Sequence, residues 1–274
     1  MTRKSFVFFV VIGVLVVFET YPLVWMVLSS LKAPHEFTTR PIYTFPEGIW
    51  WENYLRAWTV GRVGTYLRNS VIVTLPSLLA TLFLGTMAAF GIEVMRSRWN
   101  SVVLLVFLAG IMIPVQMILL PLFAFYHKVQ LLDTWWALII TYTAYGLPLT
   151  VFFMTGYFQA LSREVLEAAI LDGATIFQVF FRIAVPMAAN ALFTLAMVQF
   201  FFIWNDLVFS LTFVSTIERR TVQTGLLNFV GRFGQIEWGP TFAAIALVVI
   251  PTFFLYLFLS RFIMEGLTAG ALKG

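Results

Sequence analysis

Polar groups able to recognise a small molecule gather in one apolar run of the chain: Gln199, Asn205 and Asp206, with Trp204 between them. Gln199 and Asp206 lie two helical turns apart and so share a stripe of a helix, with Asn205 beside it and Trp204 further round. A carboxylate, two amides and an indole suit sugar hydroxyls and pyranose faces. A carboxylate in the middle of a membrane helix costs about 3 kcal/mol on insertion scales, so it faces a bundle interior, water or a partner. Two readings of Asp206 follow: with Asn205 it faces a translocation pathway, or it lies near the outer end of the run and binds neighbouring backbone. Glu19, the other acid inside an apolar run, reads as structural, paired across a partner chain.

Other chemistries lack candidates. None of the four lysines follows a Gly-x-x-x-x-Gly pattern, so a Walker A nucleotide site is absent and energy must come from another polypeptide or an ion gradient. There is no Gly-x-Ser-x-Gly, no His-Glu-x-x-His and no Ser/His/Asp grouping, hence no catalytic residue to name. Cysteine is missing altogether and His35 and His127 stand alone, so neither a metal site nor a cofactor is expected. Basic residues are scattered singly or in pairs, which gives nucleic acid no face to bind.

The elements that carry these residues are set by composition. Of 274 residues 61% are hydrophobic and only 11% charged, too few to clothe a water-facing surface. The solvent that fits is a lipid membrane. Crossing it takes about 20 apolar residues in a helix that satisfies its own backbone. Six runs qualify, roughly 6–31, 70–92, 101–126, 134–158, 187–213 and 241–263, apolar on every face and too long for barrel strands. The expected class is therefore an all-α integral membrane protein of six spans, a single domain over 1–274. The first run continues past Glu19 to Ser30 without a small-residue cleavage site, so it reads as a retained helix. Prolines 22, 76, 114, 121, 148 and 251 fall inside the runs, where each frees a carbonyl and permits a kink.

Six spans put both termini on one side. Basic residues divide almost evenly between the two sides. Those in short segments (Arg3, Lys4, Arg96 and Arg98) favour cytoplasmic termini. On that side, residues 159–186 differ in character from the spans. Ser162 with Glu164 reads as a helix start, and Leu161, Val165, Leu166, Ala169 and Ile170 recur at helical spacing. Gly173 turns the chain, and a second short helix with Ile176, Phe177, Phe180 and Phe181 leads to Pro186. The product is an amphipathic helix–turn–helix at the membrane face, able to lie on lipid or dock in a partner's groove.

Glu167-Ala168-Ala169, three residues, Gly173, nine residues and then Ile183-x-Val185-Pro186 resembles the EAA loop in the membrane subunits of binding-protein-dependent ABC importers. The family usually has Leu where this chain has Val185. The resemblance implies that the first short helix couples to a cytoplasmic ATPase, with Glu167 in polar contact and Gly173 permitting the turn. The ending Gly266–Gly274 and the Trp204-Asn205 step resemble the maltose-type sugar permeases, the smaller member of each permease pair. The implied assembly is a heterodimer with a second homologous permease, an ATP-binding subunit dimer and an extracytoplasmic sugar-binding protein, in a bacterial inner membrane. The tail would run along the ATPase dimer, and the segment from Asn228 to Gly239, with Gly231, Gly234 and Trp238, would reach toward the bound sugar-binding protein.

Alternatives stay open. An ion-coupled secondary sugar transporter would show internal repeats and more buried ionisable groups than this sequence has. A non-transporting subunit of a membrane complex would account for the spans but not for the spacing of residues 167–186. A permease of the same type for a non-sugar solute, such as glycerol 3-phosphate, is the remaining alternative to one for sugar.

Overall fold

The computed structural model describes residues 3–95, 97–229 and 236–271, and the described residues are helical throughout apart from turns and connecting loops. The helices are α1 (Arg3–Ser30), α2 (Glu36–Thr39), α3 (Glu52–Thr59), α4 (Val63–Val94), α5 (Asn100–Ile111), α6 (Val115–Lys128), α7 (Trp135–Gln159), α8 (Arg163–Leu171), α9 (Ile176–Val179), α10 (Val185–Met187), α11 (Ala189–Trp204), α12 (Val208–Phe213), α13 (Val222–Leu226) and α14 (Trp238–Ala271). Among the described residues four stretches are long and apolar enough to cross a membrane: Val7–Ser30, Val63–Val94, Trp135–Gln159 and Trp238–Leu257. Two bent pairs bring the number to as many as six. α5 and α6 meet at 96°, and the Ile176–Met187 stretch meets α11 at 75°.

Those bends correct two of the expected runs. The run 101–126 is not one helix, because it stops at Ile111 and restarts after Pro114, whose extended ψ of 136° opens α6. Proline has no N–H to continue a helix and pushes the residue before it out of the helical region. The run 187–213 is likewise divided, bending at Ala188 and stopping again between Trp204 and Val208. Pro22, Pro76, Pro121, Pro148 and Pro251 all sit inside unbroken helices.

The chain divides into two compact units, residues 1–67 with 224–253 and residues 68–223 with 254–274. In the first, α1 is exposed from Val7 to Phe18, apolar all round and covered by none of the described residues, as suits a helix in lipid or against a second protein. Glu19 is exposed on the same helix. The C-terminal carbonyls of α1, orphaned where its ladder ends, are met by side chains. Asn53 Nδ2 donates to Ser30 O at 2.9 Å and to Lys32 O at 2.8 Å. The buried Glu36 carboxylate accepts from the N–H groups of Ala33 and Glu47. Lys32 Nζ, also buried, donates to Ile42 O, and burial holds its ammonium below the usual lysine range despite Glu36 nearby.

The second unit is organised on α7. Thr81 and Gly85 of α4 meet Gly146 and Thr150 of α7, each pair one helical turn apart. A Cβ on Gly85 would lie 2.3 Å from Thr150 Cγ2, and one on Gly146 would lie 2.8 Å from Thr81 Cγ2. Small residues are what let membrane helices approach this closely, since lipid supplies no hydrophobic drive between them. Two apolar cores flank this contact. One gathers Phe90, Met154, Phe158, Leu166, Val179, Phe180 and Leu195; the other gathers Val73, Tyr126, Leu138, Tyr142, Ile203, Phe209 and Phe213.

Candidate functional site

The second core supports a cavity of about 360 Å³ beside α7, walled by Tyr142, Tyr145, Gln199, Phe202, Asp206 and Phe209 among others. Asp206 follows the end of α11, and its side chain caps α12. Oδ2 accepts from Phe209 N and Ser210 N at 3.1 Å each and from Tyr142 Oη at 2.7 Å. Orphan N–H groups at a helix start attract a carboxylate, and the positive end of the helix dipole favours its charge. Oδ1 makes a longer contact with Phe209 N at 3.4 Å, and the Val208 N–H also bonds the carboxylate, which lines the cavity. Of the two readings of Asp206, the structure shows the binding of neighbouring backbone, in a residue that also lines the cavity.

Gln199 spends its amide protons on α7, to Gly146 O at 2.9 Å and Thr150 Oγ1 at 3.0 Å, and also lines the cavity. Trp204 does not line it. Its ring is buried, stacked on Phe200 at 5.3 Å, and its Nε1 finds no partner among the described residues. Asn205 is exposed and accepts from Gln223 Nε2 at 3.2 Å. The structure therefore brings Gln199 and Asp206 together and leaves Trp204 and Asn205 outside the cavity. Tyr142 and Tyr145 escape a reading of the sequence, because nothing local marks Tyr142 as the partner of an acid 64 residues on or Tyr145 as a wall of the same cavity. Asp133 was equally hidden. At a positive φ of 57° in the short turn before α7, it accepts from Ser215 N, Thr216 N, Thr216 Oγ1 and Arg219 Nη1. Burial raises its pKa, but the bonds from Thr216 and Ser215 and the Arg219 charge outweigh that and hold the carboxyl below its ordinary range.

The other group of expected residues lies around α8. Ser162 stands at the N-cap, Glu167 and Ala168 are exposed on the helix, and Ala169 packs half-buried against the first core. Gly173 has φ +88°, a left-handed turn that costs glycine nothing. Thr175 then opens α9 with a capping box: its hydroxyl accepts from Gln178 N, and Gln178 Oε1 accepts from Thr175 N. A π-helical turn, Phe180–Ala184, carries Phe180 into the core, where its ring meets Phe90 edge-on at 5.1 Å. Pro186 lies exposed in α10, and Tyr157 Oη of α7 donates to Met187 O at the bend that follows. Arg163 and Glu93 form an ion pair at 3.0 Å between α8 and the end of α4. Leu171, Phe177, Ile170 and Val165 stay exposed, an apolar margin around Glu167 that no described residue covers. The side chains of the C-terminal tail and residues 230–235, including Gly231 and Gly234, lie outside the described residues. Among the described residues no group of His, Asp or Glu could hold a metal ion.

Comparison with known proteins meets this geometry. Residues 81–265 match the family of the binding-protein-dependent transport system inner membrane component. The chain is 34% identical over 254 residues to the probable ABC transporter permease protein YurM of Bacillus subtilis (strain 168), covering 93% of this chain and 84% of that one. It is 30% identical to the sulfoquinovosyl glycerol transport system permease protein SmoH of Agrobacterium fabrum, covering 97% and 93%. With the trehalose/maltose transport system permease protein MalG of Thermococcus litoralis it shares 31%, covering 93% and 91%. The crystal structure of a bacterial ABC transporter involved in the import of the acidic polysaccharide alginate shares the fold, with a TM-score of 0.82, 20% identity and 95% and 98% of the two chains covered. The chain belongs to the inner membrane components of binding-protein-dependent transport systems and is a transport subunit rather than an enzyme.

Proposed function

We propose that this chain is one of two homologous permease subunits of an ATP-driven importer for a sugar or oligosaccharide. An extracytoplasmic binding protein delivers the solute, and an ATP-binding subunit dimer sits at the cytoplasmic face. Each bent pair is one span, giving six, and both termini are cytoplasmic. Closure of the ATPase dimer moves α8, and the first core carries that movement to α7 as a rigid-body change. Gln199 and Asp206 face the pathway, with Trp204 and Asn205 behind them. The observation that carries this reading is α8 itself. It is a short helix fixed from within by Leu166, pinned by Glu93 and Arg163 and closed by Gly173, whose outer surface of Glu167, Ala168, Ile170 and Leu171 is left uncovered. A rigid handle with an apolar rim is what a mobile partner's groove requires. The names of the relatives favour sugars as the solute class.

The test is purification of the chain from its native membrane in mild detergent. An ATP-binding subunit and a second permease should co-elute, and Glu167→Lys should release the ATPase and abolish ATP-driven uptake while leaving the permease pair intact. Elution of the chain alone, with solute movement in liposomes under an ion gradient and no ATP, would replace the importer with a secondary carrier.

A further inference from the structure

The polar atoms that face the cavity beside α7 are unbalanced. The Asp206 carboxylate accepts, and its Oδ1 holds a long contact from Phe209 N at 3.4 Å. Gln199 offers its carbonyl oxygen, because its amide protons are committed to Gly146 and Thr150. Tyr142 Oη has given its proton to Asp206 and keeps lone pairs. Against these three acceptors stands the Tyr145 hydroxyl, on a ring held edge-on to Phe209 at 5.6 Å. No Lys, Arg or His is among the residues lining this space. The remaining wall is aliphatic or aromatic, including Phe202 and Phe209.

A site rich in acceptors, with a fixed carboxylate and no cation, selects a solute that brings its own donors and no negative charge. An anionic group placed there would be desolvated beside a like charge with nothing to pair it. A full positive charge is not required either, since Asp206 already receives a hydroxyl and two backbone N–H groups on one oxygen. A neutral ring with adjacent hydroxyls matches on both counts: hydroxyl protons go to Asp206 and Gln199, and the C–H face lies on the aromatic wall. The cavity of about 360 Å³ falls within the range of small-molecule sites and suits one ring at a time rather than a chain.

We infer that this subunit itself holds a subsite for a single neutral sugar ring, with Asp206 as its principal acceptor, and that the subsite discriminates against anionic solutes. The inference rests on the importer reading and deepens it, since it excludes glycerol 3-phosphate and uronates as solutes of this cavity.

The experiment uses the assembled transporter in proteoliposomes. The chain has no cysteine of its own, so Val208→Cys, at the cavity wall, is its single reporter. The rate at which N-ethylmaleimide alkylates that cysteine is measured with the methyl pyranosides of glucose, galactose, mannose and xylose, with glucuronate and galacturonate, with glycerol 3-phosphate and with choline. Protection by at least one methyl pyranoside and by none of the charged probes is expected. Asp206→Asn keeps the α12 cap, because Asn caps as well as Asp, but with its oxygen held by the cap it places an uncharged NH2 donor where the second carboxylate oxygen accepted. That change should raise the half-protecting concentration about tenfold, the worth of a charge-assisted hydrogen bond. Equal protection by a uronate, glycerol 3-phosphate or choline, no protection by any pyranoside, or unchanged protection in Asp206→Asn would each overturn the proposal. The assay consumes no ATP, so failure of ATP-driven uptake would strike the importer reading without moving this result.

Discussion

Around the Trp135 end of α7 polar, directional contacts are added to the aromatic packing of Tyr126, Phe209 and Phe213. Asp133 ties the preceding turn to residues 215–219, Thr134 caps the helix by accepting from Ala137 N, and Tyr142 holds Asp206 against the start of α12. Around the Gln159 end the fixing contacts are aromatic, with Phe90, Phe158 and Phe180 packed edge-on and the charged residues set outside. The two ends solve different problems. A carboxylate beside a cavity must be held in one position and orientation, and only hydrogen bonds fix both. A handle has to transmit force while its outer surface stays free for another protein, which close packing from behind accomplishes.

Four measurements would break or sharpen this contrast. The largest effect is expected from Phe180→Ala, because removing a buried phenylalanine costs about 3–5 kcal/mol in soluble cores. ATPase activity should then run uncoupled from uptake, while alkylation at the cavity stays as in the parent; equal damage to both would show the two ends to be one unit. Next is Gly146→Leu, which forces a side chain onto Thr81 and Gln199 in a contact where overpacking costs about 1–3 kcal/mol. The variant should lose thermal stability and assembled complex, whereas Gly156→Leu on the same helix, where the space is open, should not.

The third concerns pH. Asp133 is held below its ordinary value of 3.8, so its contribution is complete above that value and is lost as pH falls through the lower, folded value. Asp133→Asn tolerates the positive φ but loses the charge. It should melt lower than the parent at neutral pH by the equivalent of about 1 kcal/mol, and the two curves should converge as pH drops below 3.8. A constant gap would mean that the charge is irrelevant. Smallest is Arg163→Ala, since an exposed ion pair to Glu93 is worth well under about 1 kcal/mol. A modest loss of ATPase stimulation with unchanged melting is expected; a large one would show that α8 is pinned by charge rather than by packing.

The sequence disclosed these regions unequally. α8, its N-cap at Ser162, the turn at Gly173 and the aromatic approach to Pro186 were readable because each has a local cause: a cap, a positive φ, a helical spacing. The four unbroken spans were readable from run length alone. The break at residues 112–114 was not, since apolarity is uniform across it and Pro114 has the same local chemistry as Pro76 and Pro148, which interrupt nothing; at 205–207 the polar pair Asn205 and Asp206 was read as facing a pathway rather than as a helix end. Gln199 and Asp206 do line one cavity, but not as one helical stripe, because α11 ends at Trp204 and Asp206 lies beyond it. Trp204 turned inward to Phe200 instead, a choice made by packing that polarity does not encode.

The interlock of Thr81 and Gly85 with Gly146 and Thr150 has a mechanical corollary. It sits near the middle of α7, between the two cores, and it leaves no slack there. A helix pinned at its centre behaves as a lever about that point. At 1.5 Å per residue the 25 residues of α7 span about 37 Å, so each arm is roughly 18 Å and a tilt of about 9° displaces both ends by about 3 Å, in opposite directions. That distance is the length of a hydrogen bond. Tyr142, four residues and so about 6 Å from Gly146, shifts by only about 1 Å in the same tilt, enough to strain its bond to Asp206 but not to break it.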